Sequence, residues 1–106
     1  MQEQELTSNM NYDLSERLVH ELSEFAREHA IDRIILFGSR ARGINTQRSD
    51  VDIAVYGGDF DSFYWDVKEK ANSLLMFDII DGDGKVSREL EEEIERDGVI
   101  IYEKIG

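Results

Sequence analysis

The sequence contains no cysteine and no proline, and only two histidines, His20 and His29. Without cysteine there is no disulfide framework and no thiolate metal centre, and two well-separated histidines argue against a histidine-based zinc site. Any bound metal must then be held by carboxylates, a donor set that favours magnesium or manganese. No apolar run approaches the roughly 18 residues needed to span a bilayer, and the segment Met1 to Asn11 is polar and acidic, unlike an export signal. A cytoplasmic location away from membranes is therefore expected. Basic residues are also scarce: 12 Lys and Arg stand against 24 Asp and Glu, a net charge of −12. The resulting field opposes direct binding of nucleic acid or anionic lipid and suits a basic protein partner.

The exception is local. Residues 33–48 carry Arg33, Arg40, Arg42 and Arg48 and no acid, which leaves −16 on the rest of the chain. One island of an acidic protein is thus equipped to meet an anion. With 106 residues, 41% hydrophobic and 34% charged, the chain has the size and composition of one small folded domain.

Residues 1–12 lack apolar periodicity and are expected to form a flexible tail, with the domain occupying 13–106. Leu14, Leu18, Leu22, Phe25 and Ala26 recur at helical spacing and predict a helix over 14–30, with Asp13 and Glu16 as a capping pair. The β-branched run 31–37 predicts a buried strand stopped by Gly38, followed by a helical turn that Gly43 closes. In the second strand, 50–56, Val51, Ile53 and Val55 take one face and Asp50, Asp52 and Ala54 the other. A helix over 63–73 with Asp61 or Ser62 as N-cap, a strand over 75–80, a helix over 87–96 with Leu90 and Ile94 inward, and a strand over 99–102 complete the series. Strands alternating with helices predict an α/β (α+β) domain, a small sheet flanked by helices. Asp81-Gly82-Asp83-Gly84 is expected to be a tight turn, Phe63 a core residue, and Glu89, Glu91, Glu92, Glu93 and Glu95 a solvated face. Tyr64 and Trp65 stand as candidates for packing, partner or nucleotide contacts.

The chemistry concentrates in two segments. A glycine at a strand end lets backbone approach a ligand, and successive N–H groups entering a helical turn form a cradle for phosphate oxygens. Gly38 and Ser39 fit that role, with Arg40 and Arg42 close in sequence. Asp50 and Asp52, two apart on a strand, project in parallel about 7 Å apart. That spacing suits shared holding of divalent ions, since two-metal sites place cations about 3.5–4 Å apart. Asp78, a lone carboxylate in an apolar strand, takes the opposite parity to Phe77 and Ile79 and so faces the side bearing Asp50 and Asp52 if the strands are neighbours.

Gly38-Ser39-Arg40-Ala41-Arg42-Gly43, then Ser49-Asp50-Val51-Asp52-Ile53, then Phe77-Asp78-Ile79-Ile80-Asp81, closely resembles the minimal nucleotidyltransferases of the polymerase-beta-like nucleotidyltransferase superfamily. The resemblance spans residues 14–102. It implies a mixed sheet flanked by helices, Gly38 and Ser39 on the triphosphate of ATP, and Asp50, Asp52 and Asp78 holding two Mg2+ ions, with Mn2+ as an alternative. Asp78 would also activate the attacking hydroxyl. The implied reaction moves AMP from ATP to a hydroxyl. The implied partner is a HEPN-type ribonuclease toxin, modified on a tyrosine by a protein acting as its antitoxin. Two other readings stay open: an antitoxin that inhibits by contact alone, and the nucleotide-binding subunit of a transferase for small molecules such as aminoglycosides.

Overall fold

Leu18, Leu22 and Ala26 are buried along one side of helix α1 (Glu16–Glu28), which begins where the Ser15 hydroxyl accepts from the Leu18 N–H. The cap is thus Ser15 rather than the Asp13–Glu16 pair, because Ser15 occupies the extended residue just outside the first turn. The computed structural model describes residues 12–44, 50–71 and 73–105. Most of the expected tail, together with Arg48 and Ser49, lies outside the described residues, whereas Tyr12, its last residue, packs against the core.

Strand β1 (Arg33–Phe37), helix α2 (Ser39–Arg42), strand β2 (Val51–Tyr56), helix α3 (Phe60–Lys70), strand β3 (Phe77–Asp81), helix α4 (Arg88–Asp97) and strand β4 (Val99–Glu103) follow. Among the described residues the sheet has four strands in the order β3-β2-β1-β4. β1 pairs antiparallel with β2 and β4, while β2 and β3 are parallel, joined by α3 as the crossover. The sheet is mixed and covered on both faces, as the sequence predicts.

Period-2 alternation sorts the side chains. Ile34, Leu36, Val51, Ile53, Val55, Phe77 and Ile79 join Leu18, Leu22, Phe63 and Val67 in the main core under α1 and α3. Phe37, Ala54 and Ile94 form a smaller core under α4, with Ile35, Tyr56, Ile80 and Leu90 around it. Helix α3 starts three residues before the expected point because Asp59, not Asp61 or Ser62, caps it by accepting from the Ser62 N–H. His29, at the end of α1, bonds Asp66 of α3 at 2.6 Å and links the two helices on their shared side of the sheet. Beyond β3 the chain turns as expected: Asp81 accepts from the N–H groups of Asp83 and Gly84. On the outer side of β3, Lys68 Nζ donates to the Phe77 carbonyl at 2.6 Å.

Candidate functional site

The three aspartates lie at one end of the sheet. In the parallel pair Asp52 lies opposite Asp78, and the Val51 N–H donates to the Met76 carbonyl at 2.8 Å, which brings the starts of β2 and β3 together. Asp50, one residue before β2, is exposed at that same end. Asp50 and Asp78 are open to solvent and Asp52 is half-buried. The face is the one carrying Phe37 and Ala54, away from the α1–α3 core.

Gly38 closes the site from the neighbouring strand. It follows Phe37, whose ladder partner is Asp52, and its φ of 78° lies in the left-handed region. A Cβ built there would run into Asp52 Oδ2. Both the turn geometry and the close approach therefore require glycine. From Gly38 the chain enters α2, a single turn whose N-cap supplies no side-chain hydrogen bond. Ser39, half-buried, opens that turn directly after Gly38.

The electrostatics are one-sided. Burial first, then Asp78, Asp50 and Glu93, all push the Asp52 carboxyl up to about 6. None of these influences favours the ionised form of Asp52. An all-oxygen, negatively charged donor set of this kind fits a hard divalent cation and offers nothing to a soft one. The aspartates are spread rather than gathered around one point. Among the described residues, the acid and imidazole group whose ligand atoms all lie within 4.8 Å is Glu28, His29 and Asp66, on the far side of the sheet, where Lys70 also pairs with Asp66 at 3.2 Å.

The two arginines of α2 are placed differently from Gly38 and Ser39. Arg40 is 4% exposed, and its Nη1 donates to the Asp13 carbonyl at 3.0 Å, while the Asp13 N–H donates back to the Arg40 carbonyl at 2.9 Å. Its guanidinium fastens α2 to the approach of α1. Arg42 is exposed and stands 3.8 Å from Asp97 at the end of α4. Trp65 is 58% exposed and packs edge-on against Tyr64 at 5.2 Å on α3.

Glu93 was not distinguished by the sequence pattern from the other glutamates of α4, yet it is the one whose charge reaches Asp52. The signal was available: with Leu90 and Ile94 inward, residue 93 falls on the flank of the buried stripe.

Residues 20–105 match the family model described as polymerase beta, nucleotidyltransferase. Among solved structures, a toxin-antitoxin crystallised with AMP-PNP is 26% identical, with a TM-score of 0.65 over 86% of this chain and 75% of that one. A variant of the MntA-HpeT toxin-antitoxin with two aspartates exchanged for glutamate shares the fold at 22% identity, TM-score 0.64, over 81% and 73% of the two chains. A second MntA-HpeT variant, with a tyrosine replaced by alanine, does so at 24% identity, TM-score 0.61, over 87% and 75%. No curated protein sequence matches. No helix among the described residues is long and apolar enough to cross a membrane.

Proposed function

The chain belongs to the polymerase beta nucleotidyltransferase family, and from that premise we propose that it moves AMP from ATP to a hydroxyl, a tyrosine in our reading, of a HEPN-type ribonuclease toxin for which it is the antitoxin. The observation that carries this reading is the juxtaposition of Gly38 with Asp52 and of Asp52 with Asp78. It brings a tight glycine turn and three carboxylates to one end of the sheet. The similar toxin-antitoxin that was crystallised with AMP-PNP supports an adenine nucleotide, and the MntA-HpeT structures support a toxin as partner.

In this reading Asp50, Asp52 and Asp78 hold Mg2+, which when bound neutralises charge on the α-phosphate and the leaving pyrophosphate. The chain's own residues do the remainder. The backbone N–H groups that follow Gly38 at the start of α2 meet the triphosphate, and the Ser39 hydroxyl donates to a phosphate oxygen. The Asp78 carboxylate takes the proton of the acceptor hydroxyl as its oxygen bonds to the α-phosphorus and the bond from that phosphorus to pyrophosphate breaks. Alignment and charge stabilisation supply most of the acceleration in such a reaction. Arg40 supports the turn that carries Ser39 rather than meeting the nucleotide itself, and Arg42, exposed at the end of that turn, is placed to offset phosphate charge.

The test combines the purified chain, Mg2+, α-phosphate-labelled ATP and the protein encoded beside it. Label is expected on the partner with the wild type and on nothing with D50A/D52A. A partner silenced equally well by both, without label, would instead establish inhibition by contact. Label on a small molecule alone would assign the acceptor to that class.

A further inference from the structure

The glutamates of α4 are not equivalent. Glu89, Glu91, Glu92 and Glu95 are exposed, whereas Glu93 is half-buried. The cause lies in its neighbour: Ile94, 6% exposed, packs with Phe37 and Ala54. Phe37 is the ladder partner of Asp52, and Ala54 is the next residue along β2 on the same face. Helix α4 is thus laid over the positions that flank Asp52, with Glu93 on one side of its buried stripe and Glu91 and Glu95 on the other. Asp97, four residues on from Glu93 along the same side of α4, stands 3.8 Å from Arg42 of α2, the turn that starts at Gly38 against Asp52, while Glu91 and Glu95 act on Tyr56 at the far end of β2. Of the two bases of the same helix, Arg88 opens it at the far end from Asp97, and Arg96 is fastened to Asp97 by hydrogen bonds at 2.9 and 3.3 Å.

We propose that Glu93 is a positioning residue of the aspartate site, a fourth negative charge that raises the affinity of Asp50, Asp52 and Asp78 for a divalent cation without ligating it. The inference rests on the reading of those aspartates as a cation site. Packing Ile94 onto Phe37 and Ala54 sets a glutamate on the side of α4 toward the aspartate end of the sheet, an arrangement of like charges that a divalent cation turns into an attractive one. Glu93 comes from α4, outside both sequence motifs, so it adjusts how readily the site loads rather than where the cation sits.

The test is binding of Mn2+ alone to the full-length protein, read as loss of the spectroscopic signal of free Mn2+. Glu93→Gln is expected to weaken binding about threefold to tenfold, the size of a screened neighbouring charge. Glu92→Gln and Glu95→Gln, which point elsewhere, should stay within about twofold of wild type, and Glu93→Asp, which keeps the charge, should do the same. The gap between Glu93→Gln and wild type should narrow as monovalent salt is raised. Equal affinity of Glu93→Gln and Glu92→Gln, with D50A/D52A unable to bind, would overturn this inference alone. Wild-type affinity in D50A/D52A would overturn the cation site itself and this inference with it. Complete loss of binding in Glu93→Gln would also overturn it, by marking a direct ligand.

Discussion

Gly38 and Asp52 press against each other across the antiparallel β1–β2 pair: the space that a Cβ would need at Gly38 is filled by the Asp52 carboxylate. Gly38→Ala should therefore do two kinds of damage. Its positive φ and the collision together should cost about 1–3 kcal/mol, seen as a lowered unfolding midpoint. The displaced carboxylate should lower nucleotidyl transfer about 100-fold, the scale of a 1 Å misplacement. A Gly38→Ala protein of undiminished activity would show that the close approach has no part in the chemistry.

The raised Asp52 carboxyl has a pH signature. Because its folded value, about 6, lies above the ordinary carboxylate range, ionisation costs more in the folded chain than in the unfolded one. The contribution of Asp52 to stability should be most favourable where it is protonated in both states, and should fall as pH rises from about 4 through about 6. The loss should be about 1 kcal/mol, since half-exposure screens the larger figure that the shift alone implies. Chemical denaturation across that window should show the fall in wild type and its disappearance in Asp52→Asn. Added Mg2+ should reverse it in wild type only.

Ile94 couples the stability of the α4 face to the site. Ile94→Ala removes the buried centre of the smaller core and should cost about 2–4 kcal/mol. It should also release Glu93 from its seat, so that Mn2+ affinity drops toward that of Glu93→Gln. Wild-type Mn2+ affinity in Ile94→Ala would mean that helix placement and cation binding are independent.

The His29–Asp66 bond predicts an acid limb. The hydrogen bond from His29 first, and that from Lys70 to a smaller degree, hold the Asp66 carboxyl below its usual range against the opposing effect of burial. A carboxyl with a lowered folded value contributes stability that is complete above the ordinary carboxylate range and is lost as pH falls through the lowered value. His29→Ala should lower the midpoint at neutral pH and shrink the further loss below pH about 4. Identical acid limbs in the two proteins would remove the pair from the account of stability.

Much of the site was legible because strand parity is a strict rule. Val51, Ile53 and Val55 reserve the core face, so Asp50 and Asp52 have the other, and Phe77 and Ile79 impose the same on Asp78. That β2 and β3 are neighbours in register, Asp52 opposite Asp78, required the fold. The caps were less legible. Ser15 and Asp59 each stand two residues from another candidate cap, Asp13 and Asp61, and the choice depends on where tertiary packing starts the first turn. Arg40 shows what packing adds: a guanidinium near a phosphate-type turn suggests a ligand contact, and in the fold the side chain is buried and donates to the Asp13 carbonyl, 27 residues back in the chain. Glu93 was hidden inside a run of identical residues, where composition suggests a uniform solvated face and only the position of Ile94 breaks the uniformity.

The hydrogen bond from Lys68 to the Phe77 carbonyl has a bearing on assembly. Among the described residues β3 is an outer strand, and such a strand offers its unpaired amides and carbonyls as a template on which another chain can add. Lys68 occupies the first of those carbonyls with an ammonium group, so an incoming strand would have to displace it and strip its water before pairing. The sheet therefore ends at β3 behind a guard, and growth by edge-to-edge addition is discouraged at the margin nearest the Asp78 carboxylate.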